Sequence, residues 1–460
     1  MTKTLTVGSP VRVVVLFAIP LLLGSVFQQI YHFTDAVVVG RLLGVNALAA
    51  VGSTSSVLFL LLGFTFGAAG GMAIPVARSF GSGDLAATRR FVALGALVSA
   101  AVAVAVTAAG TLFAEPLLTL MRIPPELMAD ATSFLVASFW AAPATMAFNY
   151  VTAAVRALGD SRTPLVFLIA CSVLNAGLVF FFIGAAGLGV RGAALATAVA
   201  QLASAVGCAW WVLRRTPALR LTRADWTPVH GETSESVRPS MALGFQMSVI
   251  AIGAIVLQQA VNGLGPDAVA AATTGMRIDQ LAIAALSSFG VAMVTFVAQN
   301  QGAGQWARIR RGVWQISLVT WGLSLVLGVT LVAFGTPIAE LFIGTSEPGI
   351  VRLAHDYLTV QAFFYPVLAS LFVLRQAIQG LGATLMPTVA GFMELVFRAA
   401  AGLLLVGPLG FLGVALAGPL AWVGALVPLV ISWFGHRRRL IALQAEALAS
   451  TPPTELVRAS

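Results

Sequence analysis

The chain has 460 residues, of which 59% are hydrophobic and 9% are charged, with a formal net charge of +9 at pH 7 and a mean hydropathy of +0.95. A soluble domain of this length is excluded, because polar side chains would have to cover its surface. The basic residues stand singly or in pairs near the ends of apolar runs, which is typical of membrane topology signals and argues against nucleic acid as a partner.

The apolar runs are long and continuous, which favours transmembrane helices over the alternating pattern of a β-barrel. Twelve runs are long enough to cross a bilayer. They cover residues 12–39, 46–77, 91–114, 127–156, 164–185, 190–213, 239–263, 268–299, 311–335, 349–379, 386–407 and 411–435. The sequence therefore predicts an all-α polytopic membrane protein with twelve transmembrane helices.

The basic residues sort by side of the membrane if the N-terminus is cytoplasmic. The inside segments then contain Lys3, Arg12, Arg78, Arg89, Arg90, Arg156, Arg162, Arg214, Arg215, Arg220, Arg223, Arg238, Arg308, Arg310, Arg311, Arg437, Arg438 and Arg439. The outside loops contain Arg41, Arg122, Arg191 and Arg352. Positive charge is enriched in cytoplasmic loops, so this asymmetry places both termini in the cytoplasm of a multi-pass inner-membrane protein.

The second half of the chain repeats the first at a nearly constant offset. Four pairs of segments match in the same order: LLGVNALAAVG (42–52) with GLGPDAVAAAT (263–273), FGSGDLAATRR (80–90) with QGAGQWARIRR (301–311), RALGDSRTP (156–164) with QGLGATLMP (379–387), and GAALA (192–196) with GVALA (413–417). The offset is 221 residues, or 223 for the third pair. The chain is therefore predicted to be a tandem duplication of a six-helix unit.

An even number of helices in each unit gives both halves the same orientation. The predicted domains are an N-lobe (1–213), a cytoplasmic inter-lobe loop (214–238), a C-lobe (239–436) and a cytoplasmic tail (437–460). A pseudo-two-fold axis along the membrane normal would relate the lobes, as in secondary transporters built from parallel repeats. The sequence contains no G-x-x-x-x-G-K-[ST] motif, which argues against ATP-driven pumping by this chain.

Asp35 lies within the first apolar run, with no Lys or Arg among the five residues on either side. A carboxylate at the centre of a spanning helix costs roughly 2.5–3.5 kcal/mol on insertion scales, so it indicates a functional site. Tyr31 lies one turn earlier on the same helix face and can hydrogen-bond the carboxylate. Pro20 lies fifteen residues before Asp35 and can kink the helix. Asp35 is therefore a candidate for proton or cation coupling.

Other polar residues in the predicted spans allow two interpretations each. Asn175, Thr197, Gln201, Gln246 and Gln258 either hydrogen-bond between helices or line a polar cavity. Each member of two charged pairs is likewise a candidate for the substrate cavity or for structural pairing. These pairs are Arg277 with Asp279, which are spaced by two and do not face each other, and Glu394 with Arg398, which have the favourable i,i+4 order.

The chain resembles the multidrug and toxic compound extrusion (MATE) family over about residues 10–436. The resemblance rests on IPLLLG and IYHFTDAVVVGRLLGVNALAAVG around the first span, VARSFGSGD after the second, RALGDSRTP after the fourth, VAQNQGAG after the eighth and QGLGATLMP after the tenth. It implies two six-helix lobes, and export of drug-like, often cationic compounds against a proton or sodium gradient.

The resemblance also implies roles for individual residues. Proton-linked members use an acidic residue in helix 1 whose protonation bends that helix at a proline, and Asp35 and Pro20 match those positions. Tyr31, Asn175 and Thr197 match the other residues of the family's N-lobe site. The predicted cation-coupling site therefore consists of Asp35, Tyr31, Asn175 and Thr197.

The sequence departs from the family pattern in both halves. Many members have a second aspartate one turn after the helix-5 asparagine, where this chain has Val179, and this favours protons over sodium as the coupling ion. The acidic residues that other members place in helices 7 and 10 are missing, apart from Asp356 near the start of span 10. A C-lobe coupling scheme is therefore not expected, unless Asp279 or Glu394 substitutes for it.

The leading hypothesis is a proton-coupled multidrug antiporter that acts as a monomer in the bilayer on small molecules, without a cofactor or resident metal. The alternatives are a sodium-coupled MATE exporter and a flippase for a lipid-linked precursor. A major-facilitator transporter also has six plus six helices, but only GSGDLAATRR resembles that family. The sequence contains no nucleophile–base or metal-ligand constellation, which argues against an enzyme.

Overall fold

The computed structural model describes residues 4–121, 123–216, 220–343 and 347–450. The described residues form fourteen α-helices. They are α1 (Pro10–Leu43), α2 (Val45–Gly81), α3 (Leu85–Leu120), α4 (Pro125–Trp140), α5 (Ala142–Ala157), α6 (Arg162–Val179), α7 (Val190–Arg215), α8 (Glu232–Asn262), α9 (Pro266–Gly302), α10 (Trp306–Ile343), α11 (Pro348–Gly380), α12 (Leu385–Leu404), α13 (Val406–Leu409) and α14 (Phe411–Ser450). A π-helical turn, Phe180–Ala185, extends α6.

These helices confirm the predicted all-α polytopic class. In the described parts of the chain, eleven helices are long and apolar enough to cross a membrane, or twelve if the bent pair α4 and α5 forms one span. The predicted span 127–156 covers this pair, whose axes differ by 45°. The break falls at Ala141 because Pro143, in the first turn of α5, cannot donate a hydrogen bond to the preceding turn.

One end of the predicted organisation differs in detail from the structure. The helix α14 continues to Ser450, so the first part of the predicted tail 437–460 is helical. Residues 451–460, together with Lys3 and Arg122 of the topology prediction, lie outside the described residues.

The described residues cluster into two compact units. Unit 1 contains residues 17–76 and 85–259, and unit 2 contains residues 4–16, 77–84 and 260–450. The predicted lobe boundaries and the pseudo-two-fold relation between the lobes stay predictions.

The core of unit 1 is formed mainly by α2, α3, α4 and α5. Phe139, Leu135 and Met146 are almost completely buried there. Gly110 of α3 lies directly under the ring of Phe139, where an added Cβ would come within 2.2 Å of the ring, so this glycine lets the two helices approach. In unit 2, α9, α10, α11 and α14 form the core around Tyr365, Leu358 and Leu286.

The predicted inter-lobe loop is partly ordered against unit 1. A 3₁₀-helix, Arg223–Trp226, begins with a capping box in which Thr222 and Asp225 exchange hydrogen bonds. Two ion pairs connect this region to the first turns of α3: Arg89 with Asp225 at 3.3 Å, and Arg90 with Glu232 at 2.9 Å. The described part of the loop is therefore held at the start of α3.

Candidate functional site

The helix α1 brings Asp35, Tyr31 and Pro20 into one continuous element. Pro20 is buried inside the helix, and Asp35 is half-buried one turn beyond Tyr31. The Tyr31 hydroxyl hydrogen-bonds the Asp35 carboxylate, as the spacing predicts. A phenol is a hydrogen-bond donor, and it can stabilise a carboxylate that would otherwise lack partners in an apolar segment.

A chain of hydrogen bonds continues from Tyr31 onto two further helices. The Tyr31 hydroxyl lies 3.0 Å from Thr197 Oγ1 of α7, and Asn175 Nδ2 of α6 donates to the same Oγ1 at 3.2 Å. Thr197 therefore accepts from Asn175 and can donate to Tyr31, while Tyr31 donates to Asp35. With Thr197 as the donor to Tyr31, every donor in this arrangement is directed towards the carboxylate, and the chain is then complementary to its ionised form.

A cavity of about 200 Å³ lies beside this chain, between α1 and α6. Its lining combines apolar side chains with a few polar ones. The lining residues are Phe27, Ile30, Tyr31, Thr34, Ile169, Ser172, Val173, Asn175 and Ala176. Asn175 is 1% exposed, and its Oδ1 atom has no hydrogen-bond partner among the described residues. A mostly apolar cavity with a few convergent polar atoms is typical of a small-molecule site.

The structure thus brings together the four predicted coupling residues Asp35, Tyr31, Asn175 and Thr197. Val179, which stands where many MATE members have an aspartate, is fully buried in an apolar cluster with Val38 and Val39. Within the described part of this site, Asp35 therefore supplies the carboxylate and the other groups are neutral.

The three glutamines predicted to line a cavity have different surroundings in unit 1. The side chain of Gln201 on α7 accepts a hydrogen bond from Thr145 of α5. Gln246 is buried on α8, and Gln258 is exposed near the end of the same helix. None of them lines the cavity beside Asn175.

The charged residues predicted for the substrate cavity of the second half lie in unit 2. Arg277 is exposed and Asp279 is buried, as expected for two residues that do not share a helix face. Asp279 Oδ1 accepts a hydrogen bond of 2.8 Å from the Tyr365 hydroxyl of α11. Glu394 and Arg398 form the predicted i,i+4 ion pair, at 3.2 Å.

Two functional candidates in unit 2 did not emerge from the sequence reasoning. Arg375 of α11 is 4% exposed and forms a 2.9 Å ion pair with Glu394. Tyr365 is completely buried against Asp279. A basic residue in the middle of FVLRQAI needs a partner within the membrane, and that signal could have identified Arg375.

Comparison with known proteins agrees with this architecture. The MatE family model matches residues 20–181 and 242–404 of the chain. The chain is 28% identical to the "Probable multidrug resistance protein YpnP" of Bacillus subtilis, over 83% of this chain and 84% of that protein. It is 22% identical to the "FAD transporter" of Shewanella oneidensis, over 87% of this chain and 90% of that protein.

The fold is also similar to solved transporter structures. An outward-facing multidrug resistance MATE family transporter of the MOP superfamily superimposes with a TM-score of 0.86 and 21% identity, over 96% of this chain and 99% of that chain. The structure of a MATE transporter in the straight conformation gives a TM-score of 0.84 at 21% identity, over 96% and 98% of the two chains. The family match covers both halves of the chain and its membrane-spanning helices. The chain belongs to the MATE family of multi-pass membrane transporters, and it is not an enzyme.

Proposed function

We propose that this transporter exports drug-like, often cationic compounds across the bacterial cytoplasmic membrane in exchange for protons, with Asp35 as the coupling carboxylate. The observation that carries this proposal is the hydrogen-bond chain from Asn175 through Thr197 and Tyr31 to Asp35, beside a cavity of about 200 Å³. Relatives named as probable multidrug resistance proteins support efflux of small molecules as the activity.

The hydrogen-bond chain provides a physical link between proton binding and a change in the shape of α1. The ionised Asp35 accepts from Tyr31, and Thr197 can then donate to Tyr31, which aligns the donors with that charge. Protonation removes the charge, so the aligned donors lose much of their electrostatic advantage. The helix can then exchange one conformation for another at Pro20, whose ring leaves a gap in the backbone hydrogen bonds. Proton binding therefore shifts the population between two forms of the helix.

The positive charge of the substrate explains why substrate and proton move in opposite directions. An ionised Asp35 attracts a cationic compound to the apolar cavity, whereas a protonated Asp35 does not. Proton and cation therefore compete for one carboxylate, which is what antiport requires. The substrates are small molecules dissolved in water or in the bilayer, the transporter acts as a monomer, and neither a nucleic acid nor a cofactor takes part.

Sodium coupling is the alternative. Hard cations bind best to several oxygen ligands, usually with more than one carboxylate. The site offers Asp35 and neutral oxygens such as Asn175 Oδ1, while Val179 adds an apolar side chain to a buried cluster. This composition favours the proton. A flippase for a lipid-linked precursor is less well supported, because the cavity lining carries no basic side chain among its described residues.

The orientation is proposed from charge and from aromatic side chains. The end of α7 carries Arg214 over the ring of Trp210 at 4.3 Å, and Arg215 over the ring of Trp211 at 4.1 Å. Exposed tryptophans beside arginines are typical of the cytoplasmic membrane interface. Together with the distribution of basic residues in the loops, this supports the proposal that both termini lie in the cytoplasm.

Transport of ethidium by purified protein in proteoliposomes tests the proposal. A pH gradient and a sodium gradient are imposed separately on wild type, on Asp35→Asn, and on Asp130→Asn as a control that removes an exposed carboxylate from α4. We expect transport driven by the pH gradient in wild type and in the control, and its loss in Asp35→Asn. Transport driven only by sodium, or normal proton-driven transport by Asp35→Asn, would overturn the proposal.

A further inference from the structure

A shallow depression lies in unit 1 where the end of α5, the turn that follows it and the last turn of α7 meet. Its volume is about 30 Å³, which is room for about two water molecules. Asp160, Thr163, Arg215 and Thr216 supply its polar lining, and Trp211 lines it as well. The depression shares no lining residue with the cavity beside Asn175, so the proposed transport site does not use it.

Four arginines belong to the helix ends around this depression. Arg156 lies in the last turn of α5, and Arg162 is the first residue of α6. Arg214 and Arg215 are the last two residues of α7, and both are exposed. In the described parts of the chain none of the four forms an ion pair, whereas both arginines at the start of α3 are paired with carboxylates. The guanidinium groups at this end of unit 1 are therefore available to an external anion.

The carboxylate that lines the depression, that of Asp160, is engaged by the protein itself. Its Oδ1 accepts from the backbone N–H groups of Arg162 and Thr163, each at 3.0 Å. Its Oδ2 accepts from the Thr163 hydroxyl at 2.7 Å. Asp160 therefore holds the first turn of α6 together. Four guanidinium groups and this one carboxylate leave three net positive charges around the depression, which favours an anionic ligand.

Two of the arginines are held in place by tryptophan rings. The guanidinium carbon of Arg214 lies 4.3 Å from the centre of the Trp210 ring. The guanidinium carbon of Arg215 lies 4.1 Å from the centre of the Trp211 ring. A guanidinium group on an aromatic face can still donate from its edge, and that edge matches two oxygens of a phosphate group. A side chain that is already stacked loses less freedom on binding, so these arginines are pre-organised for a phosphate.

An exposed apolar stripe leads from these arginines along α7. Steps of four residues back from Arg214 reach Trp210 (53% exposed), Val206 (62%) and Leu202 (51%), so these side chains follow one another on one helix face. From Leu202 to Trp210 the stripe is about 12 Å long. Tryptophan beside arginine is typical of the membrane interface, with hydrocarbon on one side and headgroups on the other. The combination fits a lipid, whereas a soluble phosphate compound has no apolar part to cover the stripe.

We propose that the ends of α5, α6 and α7 form a binding site for an anionic phospholipid. Arg214 and Arg215 bind its phosphate at the edge of the depression, and an acyl chain lies along Val206 and Leu202. Basic pockets between spanning helices on the cytoplasmic side are typical sites for anionic headgroups. In the orientation proposed above, the lipid comes from the cytoplasmic leaflet. The inference goes beyond the proposed function and does not depend on Asp35 or on the coupling ion.

Native mass spectrometry of the purified full-length protein tests the site, because it counts the lipids bound to the intact chain. Phosphatidylglycerol is titrated into wild type and into Arg214→Gln with Arg215→Gln, the α7 variant. The control, Arg437→Gln with Arg438→Gln, removes the same charge from exposed arginines of α14. We expect the first lipid to bind the α7 variant about 30-fold more weakly, about fivefold for each arginine, and the control as tightly as wild type. Equal affinity of wild type and the α7 variant, or an equal loss in the control, would overturn the proposal.

Two further ligands distinguish the possible sources of the phosphate. Glycerol 3-phosphate has the same phosphate chemistry without acyl chains, and phosphatidylethanolamine has the acyl chains but a zwitterionic headgroup. We expect both to bind wild type more weakly than phosphatidylglycerol does. Displacement of phosphatidylglycerol by an equal concentration of glycerol 3-phosphate would assign the site to a soluble phosphate compound. Equal affinity for phosphatidylethanolamine would assign it to a zwitterionic headgroup beside Asp160, and either result would overturn the proposal.

Fluorescence quenching by lipids with brominated acyl chains locates the lipid in the bilayer. The emission of Trp210 is obtained as the difference between wild type and Trp210→Phe, and that of Trp140, an exposed tryptophan of α4, from Trp140→Phe. We expect brominated phosphatidylglycerol to quench Trp210 more strongly than brominated phosphatidylcholine does, and both lipids to quench Trp140 equally. Equal quenching of Trp210 by the two lipids would contradict the proposal. Both experiments are performed without substrate or gradient, so their outcome is independent of the proposed function.

Discussion

Gly81 and Gly302 each pack against the backbone of the other's helix. An added Cβ on Gly81 of α2 would lie 2.0 Å from the carbonyl oxygen of Gln299, and one on Gly302 of α9 would lie 1.9 Å from the carbonyl oxygen of Arg78. The sequence repeat relates these residues by the same offset of 221: Gly81 corresponds to Gly302, and Arg78 to Gln299. The contact, which lies within unit 2, is therefore reciprocal, since each glycine meets the carbonyl oxygen that corresponds to the one its counterpart meets.

This contact predicts a severe effect of one methyl group. We expect Gly81→Ala or Gly302→Ala to destabilise the protein by more than about 3 kcal/mol, beyond the usual cost of overpacking, because the clash is with backbone and not with a movable side chain. Thermal unfolding followed by size-exclusion chromatography measures the change.

The matched control for this prediction is Gly322→Ala on α10. An added Cβ at Gly322 meets nothing within 4 Å. Alanine should therefore leave stability unchanged or raise it by up to about 1 kcal/mol, through its better helix propensity. Equal unfolding temperatures for Gly81→Ala and Gly322→Ala would show that the α2–α9 crossing is not close-packed.

The sequence allowed much of the fold to be predicted, because a transmembrane span is a local property of about 20 residues. The break at Ala141 was not predicted, because the apolar run continues through it and one proline decides the outcome. Asp35 was found because a lone charge is conspicuous in an apolar run. Asn175 and Thr197 were noted as polar residues of apolar spans, but only the family resemblance assigned them to the site of Asp35, since nothing in their own spacing connects them to it.

The buried charges of unit 2 show what sequence alone does not reveal. The pair Glu394 and Arg398 is local to one helix, and its spacing predicts it. The contacts of Arg375 with Glu394 and of Tyr365 with Asp279 join different helices, so they depend on how the helices pack. Pairing across helices has no periodic signature in a single sequence.

The hydrogen-bond chain in unit 1 predicts a graded response to its members. Thr197→Val removes the hydroxyl that joins Asn175 to Tyr31 while it keeps the size of the side chain. We expect it to reduce proton-driven ethidium transport several-fold without abolishing it, because Tyr31 still donates to Asp35. Tyr31→Phe removes the donor that favours the ionised carboxylate, and should move the pH dependence of transport to higher pH.

Thr145→Val is the control for this series. Thr145 of α5 donates a hydrogen bond to Gln201, which lies on α7 as Thr197 does. Thr145 is not part of the hydrogen-bond chain that ends at Asp35. The transport rates of this variant, measured across a range of internal pH, should be close to those of wild type. If the pH profile of Tyr31→Phe coincided with that of wild type, Tyr31 would have no part in proton coupling.

The capping box of the inter-lobe segment predicts a pH dependence outside the membrane. Hydrogen bonds from the backbone N–H and the hydroxyl of Thr222 lower the pKa of Asp225, with a further contribution from Arg89. Because the pKa of Asp225 is lowered in the folded protein, its ionised carboxylate stabilises the docked segment at pH values above the unfolded pKa of about 3.9. This stabilisation is lost as the pH falls through the folded pKa. Hydrogen exchange of residues 220–231, corrected for intrinsic rates, should therefore show constant protection between about pH 7 and 5.

Substitution tests the same contact at neutral pH. Asp225→Asn removes the charge that accepts from Thr222 and pairs with Arg89, so residues 220–231 should exchange faster and be cut faster by trypsin at Arg220 and Arg223. Thr233→Ala, which changes an exposed side chain of the adjoining helix, should leave both rates unchanged. Protection that falls between about pH 7 and 5 in wild type would assign the docking to a group other than Asp225.

The balance of buried charge in unit 2 predicts that a double substitution is milder than a single one. Arg375→Met leaves Glu394 with Arg398 as its remaining ion-pair partner, and breaking such a buried pair costs roughly 3–5 kcal/mol. Arg375→Met with Glu394→Leu removes one buried charge of each sign, so most of the loss should be recovered. Thermal unfolding of the two single variants and the double variant gives the coupling energy. Additive losses would mean that Arg375 and Glu394 act independently, and that charge balance does not govern the stability of this cluster.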